Sequence, residues 1–121
     1  MPRTALIVDD STSIRTVLAF TLREAGFQVL EGANGSEALA VLEGKCVDLI
    51  ITDLNMPVMD GLTFIRAARA RIETKFTPIL MLTTESHPEK RQQAKAAGAT
   101  GWIVKPFQPS QLMQVVGRVL R

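Results

Sequence analysis

Cysteine, histidine and tryptophan each occur once in the 121 residues, and tyrosine does not occur at all. With Cys46 alone no internal disulfide can form, which fits a reducing cytoplasm. Cys46 is expected to be a small packing residue. No apolar run approaches the roughly 20 residues that a membrane-spanning helix needs. The start, MPRTALIVDD, holds an apolar run too short for a signal peptide and ends it in charge. Membrane insertion is therefore not expected, and the expected location is cytoplasmic. An excess of one sign of charge is missing too: 14 Lys and Arg stand against 12 Asp and Glu, a net charge of +2, with the basic residues scattered. Nothing there argues for a nucleic-acid partner. No Gly-rich loop follows the first apolar run, which counts against a nucleotide or flavin site. The only histidine, His87, lies between Ser86 and Pro88, in a loop or at a helix start, and no motif marks it as a phosphorylated histidine. With no linker, repeat or low-complexity stretch, residues 1–121 are expected to form one domain, monomeric, with no second domain after the last helix.

What the chain does have is a core-sized supply of apolar residues, 46% of the total. Four nearly continuous apolar runs, ALIV (5–8), VDLIIT (47–52), PILMLT (78–83) and GWIV (101–104), suit strands buried on both faces of a parallel sheet. FQVLE (27–31) alternates more and suits an edge. Helical periods separate them. Ile14, Val17, Leu18, Thr21, Leu22 and Ala25 share a face before Gly26, and Asn34 with Glu37 has capping-box spacing. Asp60 can cap a helix in which Leu62, Ile65, Arg69 and Ile72 share a face. Ser86 and Glu89 repeat the capping-box spacing, with Gly98 closing that helix, and a last helix follows Pro109 and Ser110. The helix near residues 88–97 offers only alanines to a core and should be held less firmly than the others. The order βαβαβαβαβα predicts an α/β fold, a (βα)5 three-layer sandwich with right-handed crossovers.

The polar residues fall in a telling place. Asp9 and Asp10 follow the first strand, Asp53 the third, Thr83 and Thr84 end the fourth, and Lys105 follows the fifth. In a parallel sheet these strand ends share one edge, where such folds bind ligands. Two carboxylates at about 4 Å repel by roughly 4 kcal/mol at an effective dielectric near 20. Protons or a cation must relieve this. An oxygen-only set points to a hard divalent cation, and Mg²⁺ fits better than Ca²⁺, which wants more protein oxygens. With a spare carboxylate, a hydroxyl and a lysine beside it, the pocket is suited to phosphoryl chemistry, in which an Asp can serve as nucleophile. Simple helix capping by Asp10 or Ser11 is the competing role for single residues.

The segments LIVDDS, TDLNMPVMDG, MLTTES and GWIVKPF resemble the receiver domain of bacterial two-component response regulators, in its single-domain, CheY-like form. The similarity covers essentially the whole chain. It implies a flavodoxin-like sheet of strand order 2-1-3-4-5. It also implies that Asp53 is the phospho-acceptor, with Asp10 and Asp53 ligating Mg²⁺ (or Mn²⁺ in its place), the backbone carbonyl of Asn55 as a third ligand and Asp9 acting through water. Thr83 and Lys105 would contact the phosphoryl group. Lys105-Pro106 would be a cis bond, and Thr83, Trp102, Lys105 and Pro106 would form the switch. The implied partners are a sensor histidine kinase as phosphodonor and a downstream protein target on the face formed by residues 86–121.

Asn55 and Glu85 match the chemotaxis branch of that family. Thr84, where many relatives carry a smaller residue, is expected to crowd the site and slow hydrolysis or phosphodonor entry. Trp102 stands where the family often has Tyr or Phe. Lys90, Arg91 and Lys95 read as a solvated helix face, and Met56, Met59, Met81 and Met113 as packing residues. An intermediate or phosphate-sink role in another phosphorelay fits the same residues. An aspartyl-phosphate phosphohydrolase fits less well, because it would need a carboxylate where Asn55 stands. A degenerate receiver is disfavoured by the complete Asp, Asp, Thr, Lys set.

Overall fold

Five short strands carry the apolar runs, and in the computed structural model, which describes residues 2–84 and 87–120, they form one parallel sheet. The elements run β1 (Thr4–Val8), α1 (Thr12–Glu24), β2 (Gln28–Gly32), α2 (Gly35–Leu42), β3 (Leu49–Asp53), α3 (Gly61–Arg69), β4 (Ile79–Thr83), α4 (Pro88–Ala97), β5 (Gly101–Val104) and α5 (Pro109–Val119). Strand order is β2-β1-β3-β4-β5, as the resemblance implied. FQVLE does lie at an edge, one residue later than its pattern suggested.

Alternation along the strands divides the core in two. Leu6, Val8, Ile50, Ile79 and Met81 face Phe64, Ile65 and Ala68 of α3, together with α2 and α4. Ala5, Ile7, Ile51, Leu80 and Leu82 face Leu18 and Leu22 of α1 and Leu112 and Val116 of α5. Every residue of β3 and β4 is buried, as expected of central strands covered on both sides.

The caps follow short-range chemistry. Ser11 Oγ accepts from Ile14 N–H, Asn34 Oδ1 from Glu37 N–H, and Asp60 Oδ1 from Thr63 N–H. Glu37 reaches back one residue further than a capping box requires, to Ala33 N–H. α4 begins at Pro88 with His87 as its N-cap and no side-chain cap bond, so the cap expected at Ser86 falls one residue too early; Ser86 and Glu85 lie outside the described residues. Only Ala94 and Ala97 of α4 are buried, in keeping with its weak apolar face.

Three packing expectations are corrected. Cys46 is exposed, because it lies in the loop before β3, which starts at Leu49 instead of Val47. Val17 is 46% exposed, because the buried stripe of α1 runs through Leu18, Ala19 and Leu22. Ile72 is 87% exposed, because α3 stops at Arg69 and the face that would bury it ends there. Arg69 instead turns its guanidinium back, donating to the carbonyls of Gly98, Thr74 and Thr77 at 3.0, 2.9 and 2.6 Å.

Candidate functional site

The ends of β1, β3 and β5 meet as the polar residues suggested. One carboxylate oxygen from each of Asp9, Asp10 and Asp53 lies within 4.8 Å of the other two. Asp9 is fully buried and Asp53 is 8% exposed, whereas Asp10 is exposed. Asp53 is the last residue of β3 and does not follow it. Its Oδ1 accepts from Leu54 N–H at 2.8 Å, which fixes the carboxylate plane against the following turn.

Lys105 enters this cluster from the far side of the sheet. Its Nζ is 2.8 Å from Asp9 Oδ2 and 3.3 Å from Asp53 Oδ2. Its backbone N–H donates to the Thr83 carbonyl at 2.7 Å, which aligns the end of β5 with the end of β4. The Lys105–Pro106 peptide is cis, as the resemblance implied. Thr83 is fully buried at the end of β4. Asn55 is exposed in the turn after β3, and Thr84 is exposed beyond Thr83.

Electrostatics of the cluster follow from burial. Burial raises the carboxyl of Asp53 above its ordinary 3.8, the Asp9 charge raises it further, and Lys105 with the Leu54 N–H pulls it partly back. For Lys105, burial favours the neutral amine. The Asp9 hydrogen bond and the charges of Asp53 and Asp9 outweigh it, so its pKa is raised above 10.5. Three carboxylates against one ammonium leave two uncompensated negative charges if all ionise. A hard divalent cation matches that deficit and the all-oxygen donor set.

Trp102 occupies the middle of this edge strand, beside Met81 in the register. It is half-buried. The Arg91 guanidinium lies 5.7 Å from its ring centroid, so Arg91 is not only part of a solvated face. The indole N–H is buried and has no partner among the described residues. Met56 and Met59 pack against the core and Met81 is within it, as read from the sequence; Met113, on α5, is half-buried against the other half of the core.

Two contributors were given no role by the sequence, although one of them closes the TDLNMPVMDG segment. Gly61 opens α3, and a Cβ there would collide with the carbonyl of Asp53. Arg15 donates from Nη1 to the Asp9 carbonyl at 2.6 Å. A glycine after a capping Asp reads as an ordinary helix start, and an Arg in the first turns of a helix reads as solvated.

Among the described residues no helix is long and apolar enough to cross a membrane. The family model described as "Response regulator receiver domain" matches residues 5–117. The chain is 36% identical over 115 residues to the chemotaxis protein CheY of Pseudomonas aeruginosa, covering 94% of this chain and 93% of that one. Its fold superposes on that of Vibrio cholerae chemotaxis protein CheY4 with a TM-score of 0.96 at 52% identity, covering 99% of this chain and all of the other (100%). The receiver domain of sensor histidine kinase PA1611 from P. aeruginosa, solved with magnesium coordinated in its active-site cleft, is similar at a TM-score of 0.90 and 29% identity, covering 99% and 98% of the two chains.

Proposed function

The chain belongs to the response regulator receiver family of two-component phosphorelays, and from that premise we propose that Asp53 is its phospho-acceptor. The observation that carries this reading is the convergence of Asp9, Asp10 and Asp53 within 4.8 Å, with Lys105 bridging two of them. In the step proposed, a carboxylate oxygen of Asp53 forms a bond to the phosphorus of a phosphohistidine. The P–N bond breaks and its electron pair leaves on the imidazole of the donor kinase. Asp10 and Asp53, with the Asn55 main-chain carbonyl and Asp9 through water, would hold Mg²⁺ (Mn²⁺ in its place), which supplies charge neutralisation for the transferring group. Lys105, already charged and 3.3 Å from Asp53, turns from carboxylate to phosphoryl oxygen without a proton transfer. Thr83, at the end of the adjacent strand, donates its hydroxyl to the same group. The chain acts on its own Asp53 and turns over no separate substrate.

The new phosphoryl group brings about −1.5 to −2 charge. Drawing Thr83 and Lys105 toward it perturbs the ends of β4 and β5, and Trp102, packed against Arg91, lies two residues before the end of β5. The output is a changed face over residues 86–121, presented to a downstream protein. Chemotaxis is the proposed process, from the relatives named CheY. A cytoplasmic, monomeric receiver consisting of one domain is the form proposed for it.

Incubation with a small acyl phosphate and Mg²⁺, followed by intact-mass measurement, tests the acceptor. One added phosphoryl group that disappears in Asp53→Asn is expected. No addition to the parent chain, or its persistence in Asp53→Asn, overturns the reading. Trp102 emission should change when Mg²⁺ and beryllofluoride are added together; an unchanged spectrum removes Trp102 from the switch.

A further inference from the structure

We infer that Arg15 is a positioning residue for the cation-holding pair, clamping the peptide that joins Asp9 to Asp10. This rests on the reading of those carboxylates as the cation site. The Asp9 carbonyl oxygen and the Asp10 nitrogen belong to one planar peptide unit, so whatever fixes that oxygen fixes the direction in which Asp10 leaves the strand. Arg15 Nη1 donates to it at 2.6 Å. Such charge-assisted bonds are short and roughly twice as strong as neutral ones.

The guanidinium is itself anchored. Its Nε lies 3.3 Å from Glu31 Oε1 on β2, and the Arg15 side chain is only 17% exposed. β2 also takes the other side of Asp9, since the Asp9 N–H donates to the Gly32 carbonyl at 3.1 Å. Both peptide groups flanking the Asp9 Cα are thus tied to the edge strand, one directly and one through Arg15. The carboxylate is held in turn by Ser11 N–H at 2.9 Å and Lys105 Nζ at 2.8 Å. The ladder of β1 pairs no residue beyond Val8 among the described residues, and Arg15 holds the Asp9–Asp10 peptide there.

Two roles for this cation predict effects of opposite sign. As a mere positive charge near the pocket, Arg15 repels Mg²⁺, and its removal should tighten Mg²⁺ binding. As a clamp, its removal should weaken binding, because the carboxylates lose their fixed geometry. Outer-shell partners of metal sites typically account for about 10-fold or more in affinity.

Calorimetric titration of Mg²⁺ into the full chain separates the cases, with circular dichroism confirming that each variant is folded. Arg15→Met, which keeps the aliphatic stem, is expected to bind Mg²⁺ about 10-fold more weakly. Arg15→Lys keeps the charge but loses the fork that reaches the carbonyl and Glu31 together, and should also bind more weakly, though less so. Equal or tighter binding by Arg15→Met, with the parent binding normally, overturns the inference. Should Arg15→Met not fold, Arg15→Lys decides: unchanged affinity overturns it and weakened affinity supports it. A parent chain that takes up no Mg²⁺ overturns instead the reading of the cation site.

Discussion

Lys105 Nζ donates to Asp9 Oδ2 at 2.8 Å across a sequence separation of 96 residues, joining the end of the edge strand β5 to the end of β1. The same ammonium stands 3.3 Å from Asp53, so without a cation it is the positive charge inside the acidic cluster. Its raised pKa means that the folded chain holds the proton more tightly than the unfolded one. That stabilisation is complete below 10.5 and is lost only as pH rises through the raised value. Lys105→Met should therefore cost on the order of 2 kcal/mol at neutral pH, the usual scale for a hydrogen bond to a charged group. Urea unfolding checks this, and added Mg²⁺ should restore part of the loss. Undiminished stability in the variant would mean that the Lys105 contacts with Asp9 and Asp53 add nothing to the fold.

Asp53 is raised as well, but here the charged form is the one the fold disfavours. Burial and the Asp9 charge raise its pKa above 3.8 despite Lys105. Between the ordinary and the raised value the native chain binds more protons than the unfolded one, so stability falls as pH rises through that window. Above that window the ionised Asp53 is a net cost to the fold. Metal-free Asp53→Asn should there be more stable than the parent, because it keeps the side-chain volume without burying a charge. Saturating Mg²⁺ should reverse the ranking, because only the parent gains the binding free energy in full. Urea midpoints with and without Mg²⁺ measure both, and a destabilised metal-free variant would show that the Lys105 contact outweighs burial.

Gly61 holds the acceptor from behind. Its N–H donates to the Leu54 carbonyl at 2.8 Å, and the space a Cβ would occupy is taken by the Asp53 carbonyl. Gly61→Ala must push back either the start of α3 or the end of β3. Overpacking of that kind costs about 1–3 kcal/mol. The variant should lose stability on that scale and accept phosphoryl from an acyl phosphate more slowly. A normal phosphorylation rate in the folded variant would show that α3, and not Asp53, gives way.

How much of this was legible in the sequence depended on whether a residue's role is local. The apolar runs and the period of the helices foretold the sheet and its layers, because burial acts on every residue of a central strand. Asp9, Asp10, Asp53, Thr83 and Lys105 could be brought together because parallel strands put their C-terminal ends on one edge. Arg15 and Gly61 could not be found in that way. One acts by reaching a backbone carbonyl, the other by lacking an atom, and neither leaves a periodic trace. Cys46, Val17 and Ile72 were misread because apolar character was taken as burial. A helix ending at Arg69 leaves Ile72 outside, a strand starting at Leu49 leaves Cys46 outside, and Val17 lies off the buried stripe of α1.

Val58 lies in the turn that follows the acceptor. It adopts φ +70°, the left-handed region, although its side chain is β-branched and 84% exposed. For an L-residue that conformation costs roughly 1–2 kcal/mol, and no burial offsets it here. Asparagine accepts the same conformation with less strain. Val58→Asn should therefore raise stability by about 1 kcal/mol, read as a higher urea midpoint with an unchanged slope. A lower midpoint would show that the valine side chain makes a stabilising contact in the folded chain after all. The gain should be the same with Mg²⁺ present, because the strain lies in the Val58 backbone and not in the carboxylates that would hold the ion.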